Sequence, residues 1–235
     1  MSLREEFDRQ LTELRDNVLA MGRLVDDELK LALQALETLD ADLAKQVFAA
    51  DLDVNAARFA IEEVCFKLIV TQQPAARDLR TIVAAMNIIV DLERAGDKAK
   101  DIAESIPHLL KSPNRPRPPE LKQMGDLVGT MLRQCMQAYA DRDVELAKFI
   151  ASQDREIDLL LAGIFNQTIE HMAKVKKEKK VEATFEIMQA AQHLARVGDL
   201  ATNVAERVIY MATGTVRELN VEADAGVDSI EPLDR

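Results

Sequence analysis

One three-helix pattern is written twice along this chain, and that duplication restricts the fold more than any other feature. Met21-Gly22-x-Leu24-Val25 returns as Met124-Gly125-x-Leu127-Val128, Leu43-Ala44-Lys45 as Leu146-Ala147-Lys148, and Asp51 as Asp154, all at an offset of 103 residues. Further along the offset becomes 102, a single deletion near a turn. There Leu92-x-Arg94-x-Gly96-Asp97-x-Ala99-x-x-x-Ala103-Glu104 matches Leu194-x-Arg196-x-Gly198-Asp199-x-Ala201-x-x-x-Ala205-Glu206. Each copy alone is too thin to bury all its apolar faces, so the two are expected to pack on each other as a pseudo-symmetric pair.

Apolar residues at helical spacing (Leu11, Leu14, Val18, Met21, Val25, Leu29) predict a first helix over residues 3–39. Asp40-Ala41-Asp42 reads as a turn and N-cap, followed by helices over 41–72, stopping before Pro74, and 76–108. Residues 107–119 hold five of the seven prolines and read as an irregular connector. The helical pattern then returns over 119–140, 144–177 and 180–213. The expected organisation is all-α: two tandem three-helix bundles over 3–110 and 119–214, a Pro-rich connector over 111–118, and an acidic disordered tail over 215–235.

Composition narrows function by exclusion. With no Trp and 4% aromatic residues the chain lacks stacking platforms for single-stranded nucleic acid, and a net charge of −11 repels DNA and an anionic bilayer. Neither nucleic-acid binding nor membrane insertion is expected. Cys65 and Cys135 lie in apolar helical runs with no Cys-x-x-Cys pattern and read as buried free thiols in a reducing compartment. No signal sequence opens the chain and no apolar run reaches bilayer length, so a cytoplasmic location is expected.

The residues able to carry chemistry are acids on the third helix of each copy. Asp97, Asp101 and Glu104 share one stripe, with Glu93 a turn earlier; the second copy offers Ala195, Asp199, Asn203 and Glu206. One reading is a solvated face of i, i+3 ion pairs such as Asp97 with Lys100 and Lys98 with Asp101. The other is an oxygen-only site for a divalent or iron metal ion. The second copy weighs toward the latter, since Asp199 and Glu206 persist where the lysines become Leu200 and Thr202. Gly96 and Gly198, unfavourable in mid-helix, imply a close approach beside the acid. A further acidic spacing joins Asp51 with Asn55 and Asp154 with Asp158 on the middle helices. His193, at the repeat position of Asp91, reads as a nitrogen ligand or a structural residue. The five lysines of Lys174 to Lys180 read as a solvated cap or an acidic docking surface. No Glu-x-x-His, nucleophile elbow or phosphate-binding Gly loop occurs, so no catalytic or cofactor-binding residue is assigned.

At Asp78-Leu79-Arg80, Asp91-Leu92-Glu93-Arg94-Ala95-Gly96-Asp97 and Arg196-Val197-Gly198-Asp199, the sequence resembles the PhoU family of phosphate-uptake regulators, over both copies from about residue 3 to 214. The resemblance implies a cytoplasmic, often dimeric negative regulator. It would link the phosphate ABC transporter to its sensor histidine kinase without catalysis of its own. It also implies metal clusters on Glu/Asp-x-x-x-Asp motifs. Carried onto this chain, those are Glu93 with Asp97, Asp97 with Asp101, and Asp154 with Asp158, although Ala195, Asn203 and Asn55 depart from the pattern. The rival reading is a metal-dependent carboxylate enzyme of phosphohydrolase type. The denser stripe of the first copy is expected to gain more from a divalent cation than the second.

Overall fold

The computed structural model describes residues 3–114, 117–174 and 178–214, and every regular element among them is a helix. These are α1 (Leu3–Thr38), α2 (Ala41–Gln72), α3 (Ala76–Glu104), α4 (Ile106–Leu109), α5 (Pro119–Asp141), α6 (Val144–Ser152), α7 (Asp154–Lys174) and α8 (Glu178–Thr213). The expected tail lies outside the described residues, as do parts of the connector and of the lysine run. No described helix is long and apolar enough to cross a membrane.

Local chemistry places the helix ends. Asp40 caps α2 by accepting from the backbone N–H of Asp42 at 2.8 Å and Leu43 at 3.1 Å. Its repeat-mate Asp143 caps α6 the same way, accepting from Glu145 and Leu146 at 3.0 Å each. Two helices are shorter than the periodicity suggested. The third helix stops at Glu104 because Pro107 has no N–H and its ring cannot pass the preceding turn, and α4 restarts with Pro107 in its first turn. The middle helix of the second copy, expected to run unbroken over 144–177, is divided at Gln153. The first copy has Ala49-Ala50 there, two strong helix formers, whereas the second has Ser152-Gln153. The Ser152 hydroxyl donates to the Phe149 carbonyl at 2.6 Å and competes with the helical ladder.

Helices α1, α2 and α3 form one bundle and α5, α6/α7 and α8 the other. They meet chiefly along α3 and α8, with α1 against α5 beside them. Alanines line the central pair, Ala99 and Ala103 on α3 and their repeat-mates Ala201 and Ala205 on α8, all buried. The duplicated Met-Gly motifs serve the second contact. A Cβ on Gly22 would lie 2.6 Å from the Met136 methyl, and one on Gly125 would lie 2.7 Å from a Leu33 methyl. Leu33 and Met136 are themselves 103 residues apart, so each copy offers a glycine to the same apolar position of the other. That is a pseudo-two-fold relation between bundles. The core is aliphatic, with Met21, Met124 and Met131 fully buried among Leu, Ile, Val and Ala. Cys65 and Cys135 are free and buried, and burial pushes both thiols up to about 12.

Candidate functional site

The acidic stripe of α3 does not form one site, because α3 is packed on several sides and a shift of four residues turns a side chain about 40° around the axis. Asp97 faces α2. There Lys100 reaches between two helices, placing its ammonium 2.8 Å from Asp97 Oδ1 and 2.9 Å from Asp51 Oδ2. Burial works against the Lys100 charge, but its hydrogen bonds to Asp97 and Asp51 and their charges outweigh it and raise its pKa. Asn55 Nδ2 donates to Asp51 at 3.1 Å.

Asp101 turns the other way. It accepts from Lys98 at 2.5 Å and lies 3.4 Å from Nδ1 of His193 on α8. Asn203 likewise lies across the same seam from Asp91 and favours its charged form. Asp91 and His193 are repeat-mates, as are Asp101 and Asn203, so this is one cross-bundle pair built twice. Glu104 adds its charge near His193 and Glu206 near Asp91. Burial lowers the His193 pKa, and burial raises that of Asp91 against the pull of Arg207 and Arg94. Asp101, Glu104, Asn203 and Glu206 therefore belong to the seam between bundles and not to a common centre with Asp97 or Asp199. Glu93 is half-exposed with no partner among the described residues.

The residue that sequence reasoning missed is Glu28 of α1. It is fully buried, and neither carboxylate oxygen has a hydrogen-bond partner among the described residues. Burial first, then the charges of Asp51 and Asp97 against the opposing Lys100, raise its pKa to about 8. Its Oε2 lies 2.8 Å from where a Cβ of Gly96 would stand, so this carboxylate is the close approach that the mid-helix glycine permits. A signal was present: Glu28 follows Met21 by seven residues and Val25 by three, on the buried face of α1, and its repeat-mate is the apolar Met131.

The second copy is built differently. Asp154 has its pKa raised by burial and by the neighbouring charges of Asp199 and Asp158. The place of Lys100 is taken by Thr202, buried with an unpartnered hydroxyl. Arg196 pairs with Asp199 at 2.9 Å, so this acid did not lose every partner. Gly198 accommodates Ile157 of α7, the repeat-mate of Val54, which lies against Gly96.

These donors test the metal that the resemblance implies. Among the described residues no three His, Cys, Asp or Glu side chains converge closely enough to hold an ion. In the first copy the position between Asp51 and Asp97 belongs to an ammonium, and the residues as arranged do not fit a metal there. The expected advantage of that copy is thus offset by Lys100, which spacing alone had treated as a surface partner.

The comparisons agree with this architecture. A family model described as the PhoU domain matches residues 18–106 and again 121–208. A phosphate-specific transport system accessory protein PhoU homolog of Pseudomonas putida is 34% identical over 220 residues, covering 93% of this chain and 85% of that protein. The PhoU accessory protein of Escherichia coli K12 is 30% identical over 209 residues, covering 89% and 86%. The crystal structure of PhoU from Pseudomonas aeruginosa superposes with a TM-score of 0.85 at 33% identity, covering 89% of this chain and all of that one. That of the phosphate transport system regulatory protein PhoU from Streptococcus pneumoniae gives 0.84 at 30% identity, covering 90% and 99%. Two matched domains, relatives aligned over most of their length and a shared helical fold together place this chain in the PhoU family.

Proposed function

We propose that this protein is an accessory protein of phosphate transport that acts as a negative regulator of the phosphate regulon. It works in the cytoplasm, as a dimer, by contact between the phosphate ABC transporter and its sensor histidine kinase. The observation that carries the reading is the match along both repeats to proteins named as accessory or regulatory components of the phosphate transport system. The first copy's acids support a non-catalytic role, since Asp51 and Asp97 hold Lys100 and Asp101 belongs to the seam between bundles, with no activated nucleophile beside them among the described residues.

Deleting the gene should derepress phosphate-starvation genes in phosphate-rich medium, read with a transcriptional reporter. Continued repression in the deletion strain would sink the regulatory reading. Hydrolysis of a generic phosphoester by purified protein with added Mn²⁺ or Mg²⁺ would favour the enzyme reading in its place.

A further inference from the structure

Helix α2 is apolar on two faces. Its buried face (Val47, Val54, Ile61, Cys65, Leu68) packs into the first bundle. Its outer face carries Phe48, Leu52, Phe59, Phe66 and Val70, between 39% and 76% exposed. At 100° per residue these five lie within about 20° of one line along the helix, over a length of about 33 Å. Three of the seven phenylalanines of the chain stand on that line. Scattered single apolar residues on a surface need no explanation, but an aligned row of this size does.

The row is also a palindrome. Leu52 and Phe66 stand seven residues either side of Phe59, and Phe48 and Val70 stand eleven either side. The polar residues on the same face follow suit, with Asn55 and Glu63 four residues either side. A two-fold interface requires this self-complementarity, because residue i must meet j while j meets i. The duplication supplies an internal control. The repeat-mates of the five are Ala151, Arg155, Ala162, Ile169 and Ala173, so the second copy folds without the row. The bundle does not need it.

We infer that α2 is a homodimer interface, pairing antiparallel with α2 of a second copy about an axis through Phe59. In that register Phe59 meets Phe59, Leu52 meets Phe66, and Phe48 meets Val70. Asn55 has one N–H committed to Asp51 and can offer the other to Glu63 of the second copy. The Arg58 guanidinium, 4.8 Å from the Phe59 ring centroid, holds the axial ring in place from within its own chain. The five side chains expose on the order of 500 Å² per copy, and flanking polar groups bring this toward the roughly 800 Å² per partner of a stable interface. This names the surface of the dimer proposed above. The measurement is a mass, so its failure is distinct from failure of the reporter experiment.

Light scattering on the full chain at about 50 µM, above a micromolar Kd, should give twice the 26.2 kDa of one chain. Phe59→Glu sets two carboxylates at the axis and should halve that mass, whereas Phe165→Glu, on the comparably exposed surface of α7, should leave it unchanged. Register is tested by oxidative cross-linking, for which the buried Cys65 and Cys135 are silent. Phe59→Cys should link to itself, and Leu52→Cys should link to Phe66→Cys when the two proteins are mixed, with neither linking alone. These substitutions lie at exposed positions, and an unchanged helical circular-dichroism signal establishes that they fold. A monomeric wild type would overturn the inference, leaving the row to a different partner. So would a dimer indifferent to Phe59→Glu, or cross-linking in any other register.

Discussion

The two bundles share one backbone plan and solve the same electrostatic problem in opposite ways. In the first, Glu28 and Asp51 are buried beside Asp97, and Lys100 supplies a tethered cation between the two aspartates. In the second, Met131 replaces Glu28 and Thr202 replaces Lys100, so that Asp154 meets the charges of Asp199 and Asp158 nearer to solvent with no tethered lysine between them. The difference teaches that counting acids on a helix is a poor guide to a cation site. What matters is whether the chain has already provided the cation.

The sharpest way to break this comparison is to remove that cation. Lys100→Met should cost about 3 kcal/mol or more in urea unfolding, because breaking a buried pair leaves uncompensated charge behind. The ammonium is partly solvated, which argues for the low end of the usual range. A loss below about 1 kcal/mol would mean that water already screens Asp51 and Asp97.

Glu28 offers the next largest effect, and its sign is definite. In the unfolded chain this glutamate loses its proton near pH 4.5, whereas in the folded protein it keeps it to about pH 8. Between those values the native state binds the extra proton, so stability falls as pH rises, by up to about 1.4 kcal/mol per pH unit. Glu28→Gln should remove that slope and make the protein comparatively more stable at pH 8. Parallel stability curves for the two proteins from pH 5 to 8 would show that Glu28 titrates normally.

The paired glycines sharpen the comparison further. Gly198→Ala forces a methyl group against Ile157, a packed aliphatic side chain, and overpacking of that kind costs about 1 to 3 kcal/mol, partly offset by about 1 kcal/mol of helix propensity. In Gly96→Ala the new methyl group meets the end of a flexible carboxylate, which can move, so the net change should be smaller. Equal losses in thermal unfolding would mean that the two glycines face the same kind of neighbour.

Most of the fold was legible because its determinants are local or repeated. The Asp40 cap announces a helix end, and the Met-Gly motifs and the mid-helix glycines each announce a close approach, in a few residues. The break at Gln153 was legible only against the first copy, since Ser152-Gln153 is weak as a helix former chiefly by contrast with Ala49-Ala50. The site was less legible. Asp97 and Asp101 share a stripe on a helical wheel, but α2 and α8 lie on different sides of α3 and separate them. The partnership of Asp101 with His193 depends on how two helices 92 residues apart in sequence cross. Glu28 was hidden by its neighbours, because Asp26-Asp27-Glu28 reads as a solvated run although its third member points inward.

The smallest expected effect concerns metal, and it should follow the missing lysine. Asp154, Asp158 and Asp199 do not converge into a preformed site, but the charges of Asp199 and Asp158 weigh on Asp154, a divalent cation drawn there would relieve that, and Thr202 stands where the first bundle has Lys100. These acids are partly solvated and Asp199 is shared with Arg196, so affinity should be modest. At ten times the Kd an ion binding only the folded state adds about 1.4 kcal/mol. Adding Mn²⁺ to metal-stripped protein should therefore raise the melting temperature slightly. Asp199→Asn should abolish the rise and Asp97→Asn should leave it intact, the reverse of what the density of acids suggests. Lys100→Met should add a second, larger response by opening the first bundle's carboxylates to the ion. Loss of the rise in Asp97→Asn alone would return the cation to the first bundle and show that Lys100 gives way to it. No rise in any of these proteins would leave the acids of both bundles as partners for the chain's own cations.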